Sequence, residues 1–216
     1  MACSQLGRMS VTLLEAHAST AQRARGTVLF ADLRGYTALA ERLDPLTVAM
    51  LLEEFFAILA GVVEKQRGTV FHLAGDTLMA GFGLTETSTE PVRRAFEAGR
   101  IIVESCSALS SEWERRHGVS AGVGVGLHLG ELVATELGPP PVRQRTLIGD
   151  TVNVAARLCQ RARAGEILFS GSIKGPLGAD SLSQVIALPE LPLRGRQTPV
   201  QIFCVPARER LALDAV

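Results

Sequence analysis

Two aspartates carry the first sign of chemistry. Asp32 closes the run Thr27-Val-Leu-Phe-Ala-Asp32, a short apolar and partly β-branched segment of the kind that forms a buried strand. Asp76 follows Gly75 between two further apolar runs, Thr69 to Leu73 and Leu78 to Phe82, and glycine at the first central position of a two-residue loop suits a type II′ hairpin. If these strands are central in one sheet, the two carboxylates converge at one edge. Hard anionic oxygens so placed suit Mg²⁺ or Mn²⁺, ions that keep waters and share substrate phosphates instead of demanding a full protein cage. A paired-metal site of that kind serves in-line attack on phosphorus. By residue type alone, Asp76 is also a good turn residue and Asp32 a helix-proximal cap.

The neighbouring residues favour the metal reading. In Asp32-Leu-Arg-Gly-Tyr-Thr37 the backbone N–H groups around Gly35, Tyr36 and Thr37 open a helix and form a natural cradle for a triphosphate. Farther along, Arg145-Thr-Leu-Ile-Gly-Asp150-Thr-Val-Asn153-Val-Ala-Ala-Arg157-Leu leads into a predicted helix over 151–162, where Asn153 and Arg157 are four apart and share one face. An amide and a bidentate guanidinium there can address a reacting phosphate. The same spacing also fits the solvated face of a surface helix. Gly122-Val-Gly-Val-Gly-Leu-His-Leu-Gly130 looks superficially like a dinucleotide loop, but Leu127 and Leu129 stand where its third glycine belongs, so Rossmann binding is rejected. His128 reads as a packed or hydrogen-bonded histidine, not a catalyst.

Several elements must position these groups. Asp44-Pro45 supplies an N-cap and a first-turn proline, and Val48, Leu51, Leu52, Phe55, Leu59, Val62 and Val63 follow at a 3.6 period, predicting a long helix that exits at Gly68. Residues 90–117 carry a second helical pattern, closed by Gly118. Val123, Val125, Leu127 and Leu129 then alternate with Gly122, Gly124, Gly126 and His128, giving a strand with one apolar face and one nearly bare face that admits a close neighbour. A loop around Gly138-Pro-Pro-Pro141 precedes Thr146-Leu-Ile, and Ile167-Leu-Phe and Val200 to Val205 read as strands with a short helix or loop between them. The order strand, helix, hairpin, helix, strand predicts an α+β fold: a ferredoxin-like βαββαβ core with C-terminal additions. The expected organisation is a connecting segment over 1–25, with Val11, Leu14 and Ala18 at helical spacing, a main domain over 26–205 and a tail over 206–216.

Composition bounds the rest. The 216 residues carry 22 Lys+Arg against 22 Asp+Glu with 47% apolar side chains, the profile of one globular domain with attachments. That balance lacks the electrostatic footprint of a duplex nucleic-acid binder or a polybasic membrane binder. Four cysteines without any CxxC pairing exclude a zinc ribbon and a disulfide scaffold and point to a reducing, cytoplasmic compartment. The start, MACSQLGRMS, lacks a signal peptide's apolar core. No 18-residue uncharged stretch reads as a membrane helix; the nearest candidate, Gly118 to Gly130, is glycine-punctuated and reads as a strand, so no membrane contact is expected.

Four segments in this order, FADLRGYTALAERLDP, GTVFHLAGDTLMAGFG, GVGLHLGEL and TLIGDTVNVAARL, resemble the catalytic domain of class III nucleotidyl cyclases, the adenylate and guanylate cyclase family. The resemblance covers roughly residues 26–172 and, more weakly, the strands to 205. It implies a cyclase homology domain acting as a homodimer, with two active sites at the interface, each built from both chains. The implied reaction takes a nucleoside triphosphate to a 3′,5′-cyclic monophosphate and pyrophosphate. Residue by residue, it assigns Asp32, Asp76 and the Leu33 carbonyl to two divalent ions, Asn153 to the ribose and Arg157 to the α-phosphoryl transition state, the last two acting from the partner subunit. Thr146 falls where the family reads the base.

His72 departs from the pattern, standing where adenylate cyclases of the family carry lysine and guanylate cyclases usually carry glutamate. A neutral imidazole donates through one nitrogen and accepts through the other, so it can serve adenine N1 or another base. Replacing a charged donor predicts weaker or broader base selection. The expected activity is therefore an adenylate cyclase. A cyclase for GTP or a pyrimidine triphosphate, and a catalytically silent regulatory domain, are the alternatives. No GGDEF sequence of the related diguanylate cyclases occurs. The arm from Gly130 to Arg145, with Thr135 and Glu136 where Gly and Asn are frequent, reads as variation in the dimer contact. An upstream sensor acting through residues 1–25 is the expected kind of control.

Overall fold

Two long strands form the spine of the molecule, β1 (Gln22–Arg34) and β4 (Gly122–Leu137), antiparallel from Gln22 opposite Ala134 to Arg34 opposite Gly122. The computed structural model describes residues 21–85, 88–178, 182, 185–193 and 198–207. On the other side β1 pairs with β3 (Thr77–Phe82), which turns back into β2 (Thr69–Ala74), so the order β2-β3-β1-β4 is the ferredoxin-like arrangement expected. The C-terminal additions extend the sheet: β6 (Ile167–Ser170) runs parallel to β4, and β8 (Val200–Val205) and β7 (Ile186–Leu191) follow it. The far half of β4 pairs with β5 (Gln144–Ile148) to form an arm.

Helices α1 (Tyr36–Arg42), α2 (Pro45–Lys65) and α3 (Glu90–His117) cover one face of the sheet, with Leu29, Ala31, Val125 and Leu127 buried beneath them. Asp44 caps α2 by accepting from Leu46 N at 2.9 Å and Thr47 N at 3.4 Å. Its buried stripe is Val48, Leu51, Phe55, Leu59, Val62 and Val63, six members of the predicted apolar face. By composition α2, with a mean hydropathy of 2.1 over 18 residues, is a nearer match to a membrane span than Gly118 to Gly130, although Glu53 and Glu54 keep it from being an uncharged stretch. Its stripe is spent on the sheet and α3, the use a core helix makes of such residues.

Helix α4 (Asp150–Arg161) covers the other face, above the glycines of β4. A Cβ on Gly122 would stand 2.5 Å from Ala164 Cβ, one on Gly124 2.8 Å from the Ala162 carbonyl, and one on Gly126 would collide with Cys159 N. The bare face is thus the seat of a helix that approaches closer than side chains allow.

Three boundaries differ from the sequence reading. β1 begins at Gln22, not near Thr27, because its polar first residues pair with the arm half of β4 outside the core. At the exit of α2 it is Arg67 that takes the positive φ, 55°. Gly68 is needed instead for space, since a Cβ there would sit 2.5 Å from the Phe82 ring. Between β6 and β8 lie a short helix, α5 (Gly171–Leu177), and the unforeseen strand β7, an edge strand whose register shifts between Leu188 and Leu191, around Pro189. Proline is tolerated only at such edges and bulges, which is why the segment does not read as a strand. The connecting segment expected over 1–25 lies, up to residue 20, outside the described residues, as does the tail from 208.

Glu54 of α2 ties the two long helices together. It accepts from Nε1 of Trp113, 1% exposed, at 2.8 Å and from Arg116 at 2.6 and 3.0 Å. The Arg116 hydrogen bond, then that of Trp113, holds its carboxyl below the usual carboxylate range. Glu54→Ala strands the buried indole N–H and should destabilise by about 1–3 kcal/mol, whereas Glu54→Gln keeps an acceptor and should lose less. Because the folded-state pKa is depressed, this stabilisation is present above the unfolded pKa and is lost as pH falls through the folded value. Thermal melts of wild type and Glu54→Ala should accordingly draw closer as pH falls through the depressed folded-state pKa of Glu54, without meeting, because a protonated carboxyl still accepts from the Trp113 indole.

Candidate active site

Asp32 stands half-buried near the end of β1, opposite Thr77 of β3 and Gly124 of β4. Thr77 Oγ1 donates to Asp32 Oδ1, and Arg34 Nη1 pairs with Asp32 Oδ2. Asp76 sits at the hairpin tip beside Gly75, whose φ of 59° is the positive value such a turn demands of its first residue. The Asp76 carbonyl accepts from Leu33 N at 3.1 Å. Tip and strand end are therefore tied, and the two aspartates share one sheet edge. Gly35, at φ 91°, then turns the chain into α1, whose first residues are Tyr36 and Thr37. Among the described residues no third His, Cys, Asp or Glu completes a metal cluster with the pair. Two hard carboxylates and a carbonyl fit an ion that takes its remaining ligands from water and phosphate, as Mg²⁺ or Mn²⁺ does.

His72 is exposed on β2 opposite Met79, next to a register shift between Val70 and His72. Thr146, half-buried on β5, faces Thr135 across the arm. The Arg145 guanidinium lies 5.6 Å from the Phe71 ring centroid, so a stacked pair adjoining both residues brings their strands together. Asn153 and Arg157 lie on the exposed side of α4, opposite its buried Val154, Ala155, Leu158 and Cys159. Arg157 Nη1 donates to Gln160 of its own helix at 3.3 Å. One chain thus presents two sets of groups on different elements, a carboxylate edge and an outward helix face, with no hydrogen bond or ion pair between them among the described residues.

Residues 19–205 match the adenylate and guanylate cyclase catalytic domain. The chain belongs to this class III cyclase family. This cyclase domain is 26% identical over 190 residues to an adenylate cyclase of Anabaena cylindrica, spanning 85% of the chain and 37% of that protein. An uncharacterised protein of Mycobacterium tuberculosis is 29% identical over 177 residues, 81% of the chain and 31% of the relative. The chain therefore spans about a third of the length of these relatives. Among solved structures, the adenylyl cyclase CyaB from P. aeruginosa superposes with a TM-score of 0.80 at 26% identity, covering 87% of this chain and 97% of that one. The guanylyl cyclase Cya2 gives 0.78 at 24% identity over 87% and 94%; at that identity it speaks for the fold alone.

Two open clefts of the cyclase domain, about 590 Å³ between α2 and α3 and about 1000 Å³ along α3, contain none of Asp32, Asp76, His72, Thr146, Asn153 or Arg157. Burial pushes the Cys159 thiol up to about 11 and the Cys106 thiol up to about 12, which removes both as nucleophiles. His128 is hydrogen-bonded as expected, its Nδ1 2.6 Å from Ser170 Oγ, which in turn lies 2.8 Å from Ser172 Oγ. The residue that sequence reasoning passes over is Arg34. A signal for it exists: in a strand, residues two apart share a face, so Arg34 and Asp32 emerge on the same side.

Proposed function

We propose that this chain is an adenylate cyclase domain that converts ATP to 3′,5′-cyclic AMP and pyrophosphate at an interface between two copies of itself. The observation that supports the reading is that the two sets sit on different elements with no hydrogen bond or ion pair between them among the described residues: Asp32 engages Thr77 and Arg34, while Arg157 bonds only Gln160 on the outward face of α4, where a second copy would find it. Asp32, Asp76 and the Leu33 carbonyl would hold two divalent cations, which when bound lower the pKa of the ribose 3′-hydroxyl and screen the triphosphate. The backbone N–H groups at Gly35, Tyr36 and Thr37 receive phosphate oxygens at the start of α1. Asn153 of the second copy orients the ribose, and its Arg157 supplies delocalised positive charge as the 3′-oxygen bonds to the α-phosphorus and pyrophosphate leaves. The attacking hydroxyl belongs to the substrate itself, so proximity supplies much of the rate and no protein nucleophile is required.

ATP is preferred because the adenylate cyclase of Anabaena cylindrica and the adenylyl cyclase CyaB are each 26% identical to the chain. The second reading, GTP or a pyrimidine triphosphate, is favoured by His72, whose exposed imidazole offers one donor and one acceptor where a lysine would offer only donors. The proposed catalytic unit is 26–205, in the cytoplasm, where the buried Cys106, Cys159 and Cys204 remain reduced. Purified protein given ATP, GTP, CTP and UTP together, with Mn²⁺ and then Mg²⁺, should yield predominantly cyclic AMP by mass. Another cyclic nucleotide would overturn the substrate while keeping the reaction; a folded dimer making no product would favour the silent regulatory domain.

A further inference from the structure

We infer that Arg34 is a positioning residue that couples the two halves of the site carried by one chain, joining the Asp32 carboxylate to the C-terminal end of the helix that presents Asn153 and Arg157. The inference rests on the cyclase reading above. One guanidinium makes all the connections: Nη1 to Asp32 Oδ2, Nη2 to the Cys159 carbonyl, and Nε to the Ala162 carbonyl at 2.9 Å. The Cys159 carbonyl belongs to the last turn of α4, where the helix dipole is negative, and the Ala162 carbonyl to the extended residue that caps it, so a cation is suited to the place. Arg34 and Asp32 are 24% and 21% exposed, which places the pair partly out of water and lessens screening. Room for the fork comes from Gly124, on which a Cβ would stand 2.6 Å from Arg34 Nη2. Lysine has the charge but not the planar fork, and cannot span a carboxylate and two carbonyls in three directions.

The consequence reaches beyond one site. In the proposed dimer, Asp32 serves one active site and Arg157 of the same chain serves the other. Arg34 therefore links the charge state at one metal edge to the seating of the helix that completes the second site. Its contacts at the two ends also pull in opposite senses: the positive charge beside Asp32 opposes cation binding, while the two bonds to carbonyls hold the end of α4 where Arg157 is needed.

The test is Mn²⁺ titration by electron paramagnetic resonance on the full chain, with kinetics at saturating Mn²⁺ and hydrogen exchange of the last turn of α4. Arg34→Met should tighten Mn²⁺ binding by roughly fivefold, by removing one partly buried charge. The same variant should lower kcat by roughly tenfold to a hundredfold through misplacement of α4, with KM changed less. Arg34→Lys should keep Mn²⁺ affinity within about twofold of wild type, its charge being retained, yet lose kcat like the methionine variant. Both should speed exchange at Leu158 to Ala162. If Arg34→Met does not fold, the lysine variant carries the test alone. Higher kcat together with tighter Mn²⁺ binding would make Arg34 a mere competitor of the cation and overturn the positioning role; wild-type kcat and exchange in both variants would overturn it equally. Asp32→Asn belongs in the same series: undiminished Mn²⁺ binding there overturns the metal assignment itself, whereas loss there beside wild-type behaviour of the Arg34 variants overturns only the role of Arg34.

Discussion

Asp76→Asn should lose turnover by roughly a thousandfold or more while the protein stays folded. The clean separation follows from which atoms of Asp76 do what. Its backbone carbonyl makes the structural bond to Leu33 N, at 3.1 Å, and is untouched by the substitution. Its carboxylate sits at a hairpin tip, where asparagine is as good a turn residue. Only the anionic ligand is removed. Asp32→Asn should lose turnover equally but with a lowered melting temperature, because its carboxylate also accepts from Thr77 and pairs with Arg34. Cyclic product measured by mass, beside melting curves and light scattering, reads both effects. Full activity in either variant would sink the metal assignment.

The second large effect is at Arg157. Arg157→Ala should reduce kcat by roughly two to three orders of magnitude and raise KM much less, because its contact matters chiefly in the transition state. The residue lies on an exposed helix face and bonds only weakly within it, at 3.3 Å to Gln160, so the substitution costs the fold little. Co-expression sharpens the result. Asp76→Asn and Arg157→Ala chains are each inactive alone, but in a mixed dimer both lesions fall in one site and leave the other intact. Random pairing makes half the dimers mixed, so activity should return to about a quarter of wild type. No recovery at all would show that both residues act within one chain, against the shared site. An unchanged kcat in Arg157→Ala would remove its role outright.

Much of the fold, and the carboxylate half of the site, is legible in the amino-acid sequence itself. Asp44-Pro45, the stripe from Val48 to Val63, and the alternation of Val123 to Leu127 with glycines each fix a local element, because capping, helical period and strand period are short-range physics. The hairpin with Asp76 at its tip is readable from Gly75 between the apolar runs Thr69 to Leu73 and Leu78 to Phe82. Harder to read is whatever tertiary pairing decides. β7 is hidden because an edge strand with a proline lacks the signals of a core strand. The first residues of β1 are hidden because Gln22 to Arg25 are ordered by β4 and not by an apolar pattern of their own. Arg34 looks like a linker residue until the fold brings the last turn of α4, more than 120 positions away, against it. That Asn153 and Arg157 make no hydrogen bond or ion pair with the aspartates is likewise a property of the assembled sheet and helix. No spacing along the chain expresses it.

The bare face of β4 also sets the pace at which different parts of this chain can diverge. Side chains on a helix surface drift with little penalty, but a strand on which a helix backbone rests directly has no latitude at Gly122, Gly124 and Gly126, where even a methyl group meets α4 or the segment after it. The residues between them, Val123, Val125 and Leu127, are buried among α2 and α3 and can exchange with other aliphatic types as far as volume allows. Alternate positions of one strand therefore change at different rates. Distant descendants of this chain should retain that glycine comb after most of the remaining surface has been rewritten.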